Sequence, residues 1–330
     1  MASNLGDGQT ASMVALLYVV LAFAVPLVPL AGSSPAAPHA SGAGPAVTRA
    51  AGERPRSYWQ AIAENGMALP EGESAFELLV ELSSHLGSPD PVLRDDYAYG
   101  IAAAWIQRQQ LLDEVELRAL VELWSSNLGV GIGEPGPDSV LLRSFSALNL
   151  SLLAAYDNQH RFLDDAAFEG LLSEALVYLE RERDLRGWVP GLGWCHSAAH
   201  TADLLKFLAR SEHLEPAGQF MILEGIANRL RDTDGYVFVH GEDERLAAAV
   251  VSVMAREDFD TDSFAEFLGR LAESARQPQA GADFDPVQFA GQQNSKNLAR
   301  ALYVHLVRAG ELPSELEAAR GAVLQTLESL

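Results

Sequence analysis

From Ser57 to the C-terminus, apolar residues recur at three-to-four-residue intervals, and no stretch reads as an alternating strand. That periodicity is the strongest constraint on the chain, because residues i, i+3, i+4 and i+7 share one face only if the backbone is helical. Helices are expected over residues 75–86, 92–109, 114–128, 138–156, 164–183, 195–210, 216–231, 242–256, 262–276, 286–309 and 314–330. The breaks carry turn chemistry, with GSPDP at 87–91, GVGIGEPGPDS at 129–139, RDTDG at 231–235 and QPQAGADFDP at 277–286. Ser314 and Glu317 have the spacing of a capping box, and Asp262 precedes an apolar run.

Helices of this length joined by short connections pack as antiparallel pairs. The expected fold is therefore all-α, in the form of an irregular α-solenoid or a large helical bundle. No period of 34 or about 40 residues stands out, so any repeats are degenerate. One all-helical domain over 57–330 is the expected organisation, with the glycine-rich loop at 129–137 as the alternative seam. That loop is not a phosphate cradle: no strand precedes it, and Glu134 and Asp138 would repel phosphate.

The first fifty residues are of another kind. Ala11 to Ala31 is an uncharged apolar run, about the length that a bilayer-spanning helix needs. Pro26 and Pro29 break it, and small residues follow, which is the layout of a secretory signal. Residues 1–31 are thus expected to be a signal peptide or a membrane anchor. The anchor alternative gains from the missing basic residues ahead of the run and from Arg49, Arg54 and Arg56 behind it. Export to a periplasmic or extracellular site is the expectation, with membrane anchoring as the alternative. Residues 32–56, rich in Ala, Pro, Gly and Ser, read as a linker.

Charge and cysteine content remove several function classes. With 23 basic and 45 acidic residues, the net charge of −22 repels phosphate backbones, so nucleic acid is not an expected partner. The single cysteine, Cys195, excludes a disulfide framework and any multi-cysteine metal site.

Chemistry-bearing residues concentrate in DLRGWVPGLGWCHSAAHTADLL, residues 184–205. On a helix, His196, His200 and Asp203 would lie within a stripe about 60° wide. Two imidazoles and a carboxylate on one face could hold a divalent metal, the cofactor such a triad would take. The same stripe shares its side with Lys206 and Arg210, so it could equally be a solvated face. Phe207 in its middle argues instead for a groove or a second layer. A zinc-peptidase H-E-x-x-H motif is absent, since Ser197 follows the first histidine. A Cys-His nucleophile is also unsupported, because neighbouring residues on a helix face different ways.

A second cluster, Glu242, Asp243, Glu244 and Arg245, opens a helix. Acids there complement the helix dipole, and one of them could complete a site with the histidines while Arg245 pairs with Asp203 or Asp184. A third cluster, Asn294, Lys296, Asn297 and Arg300, suits interhelical hydrogen bonding.

The strings RGW…GWCHSAAHTADLL, GEDERLA and KNLARALY, in that order, resemble the bacterial domain of unknown function 2785 (DUF2785) family over roughly residues 70–310. The resemblance implies an all-helical fold and places His196, His200, Asp203, Glu242, Asp243, Arg245 and Asn297 at the family's motif positions. It implies no reaction, substrate or cofactor. Two functions remain open at this point, beside a structural scaffold in which the polar cluster only orders helix packing. One is a domain binding an unidentified small molecule or protein segment in a groove near His196, His200 and Asp203. The other is a metal-dependent hydrolase in which His196, His200 and an acid, Asp203 or one of Glu242–Glu244, are the ligands and the metal activates a water.

Overall fold

The computed structural model describes residues 54–134, 138–274 and 283–330. The expected signal or anchor at 1–31 and most of the expected linker lie outside the described residues. Among the described residues no helix is long and apolar enough to cross a membrane.

The fold is all-α. The helices are α1 (Arg56–Glu64), α2 (Ala75–Leu82), α3 (residues 92–108), α4 (Glu114–Asn127), α5 (Val140–Asp157), α6 (Asp165–Arg181), α7 (Ser197–Leu208), α8 (Pro216–Arg231), α9 (Glu242–Met254), α10 (Thr261–Ser274), α11 (Pro286–Arg308) and α12 (Ser314–Ser329). Several ends depart from the expected ones. The turn after α2 tightens into a 3₁₀ segment, Ser83–Gly87. In α3, π-helical turns over Val92–Tyr99 and Ala104–Arg108 flank a single α turn, Gly100–Ala103. A π turn is a local expansion that sequence periodicity does not register, and such turns concentrate at functional sites.

Start signals were only partly legible. The capping box forms at Asp113 and Glu116, each side chain satisfying the other residue's backbone N–H. At α12, Pro313 takes the cap position and Ser314 supplies no cap. Asp260, not Asp262, accepts the N–H groups that open α10, those of Asp262 and Ser263. At the N-terminal edge, Arg54 pairs with Glu73 and Glu81, and α1 starts at Arg56. The last residues of the expected linker therefore belong to the folded body.

The helices stack in two layers. The odd-numbered helices α3, α5, α7, α9 and α11 pack successively on one another, and the even-numbered α4, α6, α8, α10 and α12 do the same. One contiguous apolar cluster runs between the layers from Trp59 to Val323. Burial of each large side chain in it, Trp59, Trp105 and Trp124 among them, contributes about 1.5–3 kcal/mol. Between α6 and α7 the chain departs from helix and forms a minimal antiparallel pair, β1 (Trp188–Val189) and β2 (Gly193–Trp194), in which Trp188 faces Trp194. Two residues per strand are too few to alternate visibly in sequence.

Helix α7 lies between α5 and α9. Every residue from Ser197 to Leu208 except Phe207 is buried. Ala198, Ala199 and Ala202 make this enclosure feasible, since small side chains let neighbouring helices approach. The stripe that sequence alone left open between solvent and a second layer therefore faces other helices.

Candidate functional site

The site begins with the backbone at the entry to α7. The Cys195 and His196 N–H groups bond Gly187 O at 2.8 Å and Arg186 O at 3.0 Å, tying this entry to the segment that leads into β1. His196 then turns the chain in a left-handed conformation, φ 48° and ψ 33°, as the N-cap of α7. This corrects the expectation that His196 lies on the helix face with His200 and Asp203: it stands ahead of the first turn. A non-glycine residue held there costs about 1–3 kcal/mol and persists only where its surroundings enforce it. Gly241 makes the corresponding turn into α9 at φ 87°, where glycine incurs no Cβ clash.

These two helix starts meet through their side chains. His196 Nε2 lies 3.1 Å from the His240 carbonyl, which can only accept, so Nε2 carries the proton and Nδ1 the lone pair. The His196 ring stacks on Trp194 at 4.2 Å and 24°. Burial, reinforced by the Arg245 charge, lowers the His196 pKa to about 4. His200 is deeper, its Nδ1 2.8 Å from Ser144 Oγ and its ring edge-on to Phe145. The Ser144 hydroxyl donates to Cys195 O, so His200 Nδ1–H is the donor to Ser144 and Nε2 holds the lone pair. Burial, then His196 and Arg245, keep His200 well below the usual histidine range. Both imidazoles are neutral at pH 7.

Glu242 completes this end of the site. Its Oε2 accepts the His240 N–H at 2.8 Å. Its Oε1 is buried without a hydrogen-bond partner, 4.0 Å from His196 Nε2 and 4.0 Å from His240 Nδ1. Burial raises the Glu242 pKa. His240 is held close by an absence: a Cβ on Gly187 would come within 2.3 Å of its Nδ1. Tyr236 Oη bridges the two segments, 3.2 Å from the Gly187 N–H and 3.4 Å from His240 Nδ1.

One turn along α7, Asp203 is fully engaged. Its Oδ1 accepts from Lys206 Nζ at 3.0 Å and its Oδ2 from Arg245 Nη1. Lys206 is buried and its pKa is lowered by that burial, with Asp203 opposing. Tyr99, from the π-helical part of α3, faces the same group; burial and then the Asp203 charge push its pKa to about 12. Arg245 acts electrostatically on His196, His200 and Tyr99 alike and keeps 30% of its side chain exposed, which places it at the mouth of the cluster.

Among the described residues no group of three or more His, Cys, Asp or Glu side chains is arranged to hold a metal ion. The expected ligand set His196, His200 and Asp203 does not fit one: both Asp203 oxygens are bound by cations, which leaves the His196 Nδ1 and His200 Nε2 lone pairs without a third donor. No step through a metal follows from these residues.

The family model for DUF2785, described as a protein of unknown function, matches residues 128–304. The chain belongs to this family. No curated protein and no solved structure matches it. The DUF2785 match runs from the end of α4 through most of α11 and includes all of the histidine cluster.

Of the positions that the DUF2785 resemblance highlighted, His196, His200, Asp203, Glu242 and Arg245 come together in space. Asp243 is half-buried, and among the described residues no hydrogen bond or ion pair engages its carboxylate. Asn297 accepts from Arg300 along its own helix at 3.2 Å. The interior asparagine is Asn294, which accepts from the Phe238 N–H at 2.8 Å and donates to Tyr236 O at 3.1 Å, fixing the loop that carries His240. Arg186 is taken up by Asp184 and Asp138. Sequence reasoning missed His240, Tyr99, Ser144 and Trp194 as site residues. His240 and Trp194 carried a usable signal, His240 directly before the GEDER string and Trp194 within GWCHSAAHTADLL.

Proposed function

We propose that this protein binds a small ligand in a recess between the Trp188–Trp194 hairpin and the N-terminal ends of α7 and α9. His196, His240 and Glu242 form its wall and Arg245 its mouth. The observation that carries this reading is Glu242 Oε1, an acceptor 1% exposed with no partner, set 4.0 Å from two imidazole nitrogens. An unpaired buried polar atom costs about 1–3 kcal/mol, and here it sits beside a left-handed histidine. Two such costs at one place suit a group kept ready for a ligand donor better than they suit helix packing. The metal-dependent hydrolase alternative lacks this support, since both Asp203 oxygens are bound by cations and the two histidines are left without a third ligand among the described residues.

The test compares the full-length chain with Glu242→Gln and His240→Ala in a thermal-shift screen of small molecules, followed by calorimetry. A ligand that stabilises the natural chain is expected to bind Glu242→Gln at least about tenfold more weakly, the loss of one hydrogen bond to a charged group. Ligand responses identical in the natural chain and both variants would reject the proposal.

A further inference from the structure

The hairpin beside the recess carries two tryptophans in water. Trp188 is 49% exposed and Trp194 38% exposed. They are direct register partners across the β-pair, so their side chains leave the same face of the ribbon. Trp194 is held by the stacked His196 ring and remains 38% exposed. His240 stands edge-on to the same indole at 6.0 Å. The hairpin is pinned in turn: Arg94 Nη2 donates to Leu192 O at 3.0 Å, in the turn between the strands. Exposed indoles held this firmly form a rigid aromatic shelf beside the half-buried His240 and Arg245.

The shape of the shelf selects among ligands. A planar heteroaromatic ring is gripped best between two facing rings, and an organic cation within several converging faces. Here both indoles project from one side of a ribbon and stay 49% and 38% exposed among the described residues. A single apolar platform suits a ring that is apolar on one face and polar around its rim. A pyranose has that character, with axial C–H groups on its face and hydroxyls around its edge. Beside the shelf, His240 and Arg245 keep 31% and 30% of their side chains exposed and offer matching partners for hydroxyls. The net charge of −22 disfavours an anionic glycan.

We infer that the ligand is a neutral oligosaccharide, with successive sugar rings lying on Trp188 and Trp194 and hydroxyls turned towards His240 and Arg245. This rests on the recess being a binding site and adds the class of ligand it takes.

The experiment measures retention of the full-length chain on immobilised cello-, malto-, xylo- and chito-oligosaccharides, then titrates the soluble tetrasaccharides, with adenosine and choline as contrasting probes. At least one oligosaccharide is expected to bind and to quench tryptophan emission. Trp188→Ala is expected to weaken it by about tenfold with an unchanged melting temperature, and Trp188→Phe to restore part of the loss. Oligosaccharide binding that ignores Trp188→Ala would place the sugar elsewhere and overturn the inference. Adenosine or choline binding instead of every sugar, weakened by Trp188→Ala, would overturn the sugar class while leaving the recess as a binding site. Retention of none of the sugars also overturns the class, and the Glu242→Gln comparison then decides the recess separately.

Discussion

Arg143 and Glu182 are as deeply buried as Glu242, yet the two places treat their charges differently. Arg143 donates from Nε and Nη2 to the two Glu182 oxygens at 2.6 and 3.0 Å, and from Nη1 to Val130 O, Gly131 O and Ser139 Oγ. Glu182 Oε1 also accepts the Arg183 and Asp184 N–H groups. Every nitrogen of the guanidinium and both carboxylate oxygens are used, and the pair ties the glycine-rich loop and the end of α6 to α5. Glu242, 1% exposed, leaves one oxygen unpaired between two imidazoles and beside exposed aromatic rings. A saturated buried pair holds helices together; the unsaturated Glu242 carboxylate is the feature on which the proposed ligand site rests. Charge and burial alone do not separate the two, and the count of satisfied hydrogen-bonding directions does.

That contrast is open to direct attack. The largest effect is expected at Arg143→Met, which strands a carboxylate at 2% exposure. Stability to urea should fall by about 3–5 kcal/mol, the usual result of breaking one side of a buried pair. A loss below about 1 kcal/mol would mean that the pair is not the structural node described above.

His196 gives the next effect. Its pKa is about 4 in the folded chain against 6.5 for an unperturbed histidine, so the unfolded chain binds more protons between those values. Stability is unaffected by this group above pH 6.5 and falls as the pH drops towards 4, by about 3 kcal/mol at the acid end. Asp95, whose pKa burial raises to about 6, works in the opposite direction over much of that window. The measurement is therefore the difference between the natural chain and His196→Gln across pH 4–7. The natural chain should lose stability relative to the variant as acid is added, and parallel curves would show that His196 is not held neutral.

Gly187→Ala comes third. Its new Cβ would overlap the His240 ring, and forcing that ring aside is expected to cost about 1–3 kcal/mol and to abolish the ligand response. Denaturation and the thermal-shift screen read the two parts separately. The smallest stability effect is expected at Glu242→Gln, within about 1 kcal/mol, because the neutral amide relieves the burial of a charge. A collapse in stability there comparable with Arg143→Met would erase the distinction between the two places.

Much of the fold was readable from periodicity because burying one helical stripe needs only a regular supply of apolar residues. Pro216–Arg231 and the start at Glu242 follow their patterns closely. The errors fall where a local signal competed with tertiary contacts: the π turns of α3, the cap at Pro313, and His196, which the wheel placed on α7. The candidate site was legible as a set of residue types but not as an arrangement. Asp203 looked like a metal ligand until Lys206 and Arg245 were found on its two oxygens, and Lys206 looked solvated until α5 and α9 enclosed its helix.

The sequence by itself determined that this chain would be helical, acidic and free of a cysteine framework, since those properties depend on spacing and composition along one dimension. It also marked the segments 184–205 and 241–247 as chemically unusual. Which of their groups are spent on one another and which are left open was decided only by the tertiary structure. Residues about forty positions apart, such as His196 and His240 or Asp203 and Arg245, meet across two helix starts, and hydrogen-bond satisfaction is a property of that three-dimensional meeting.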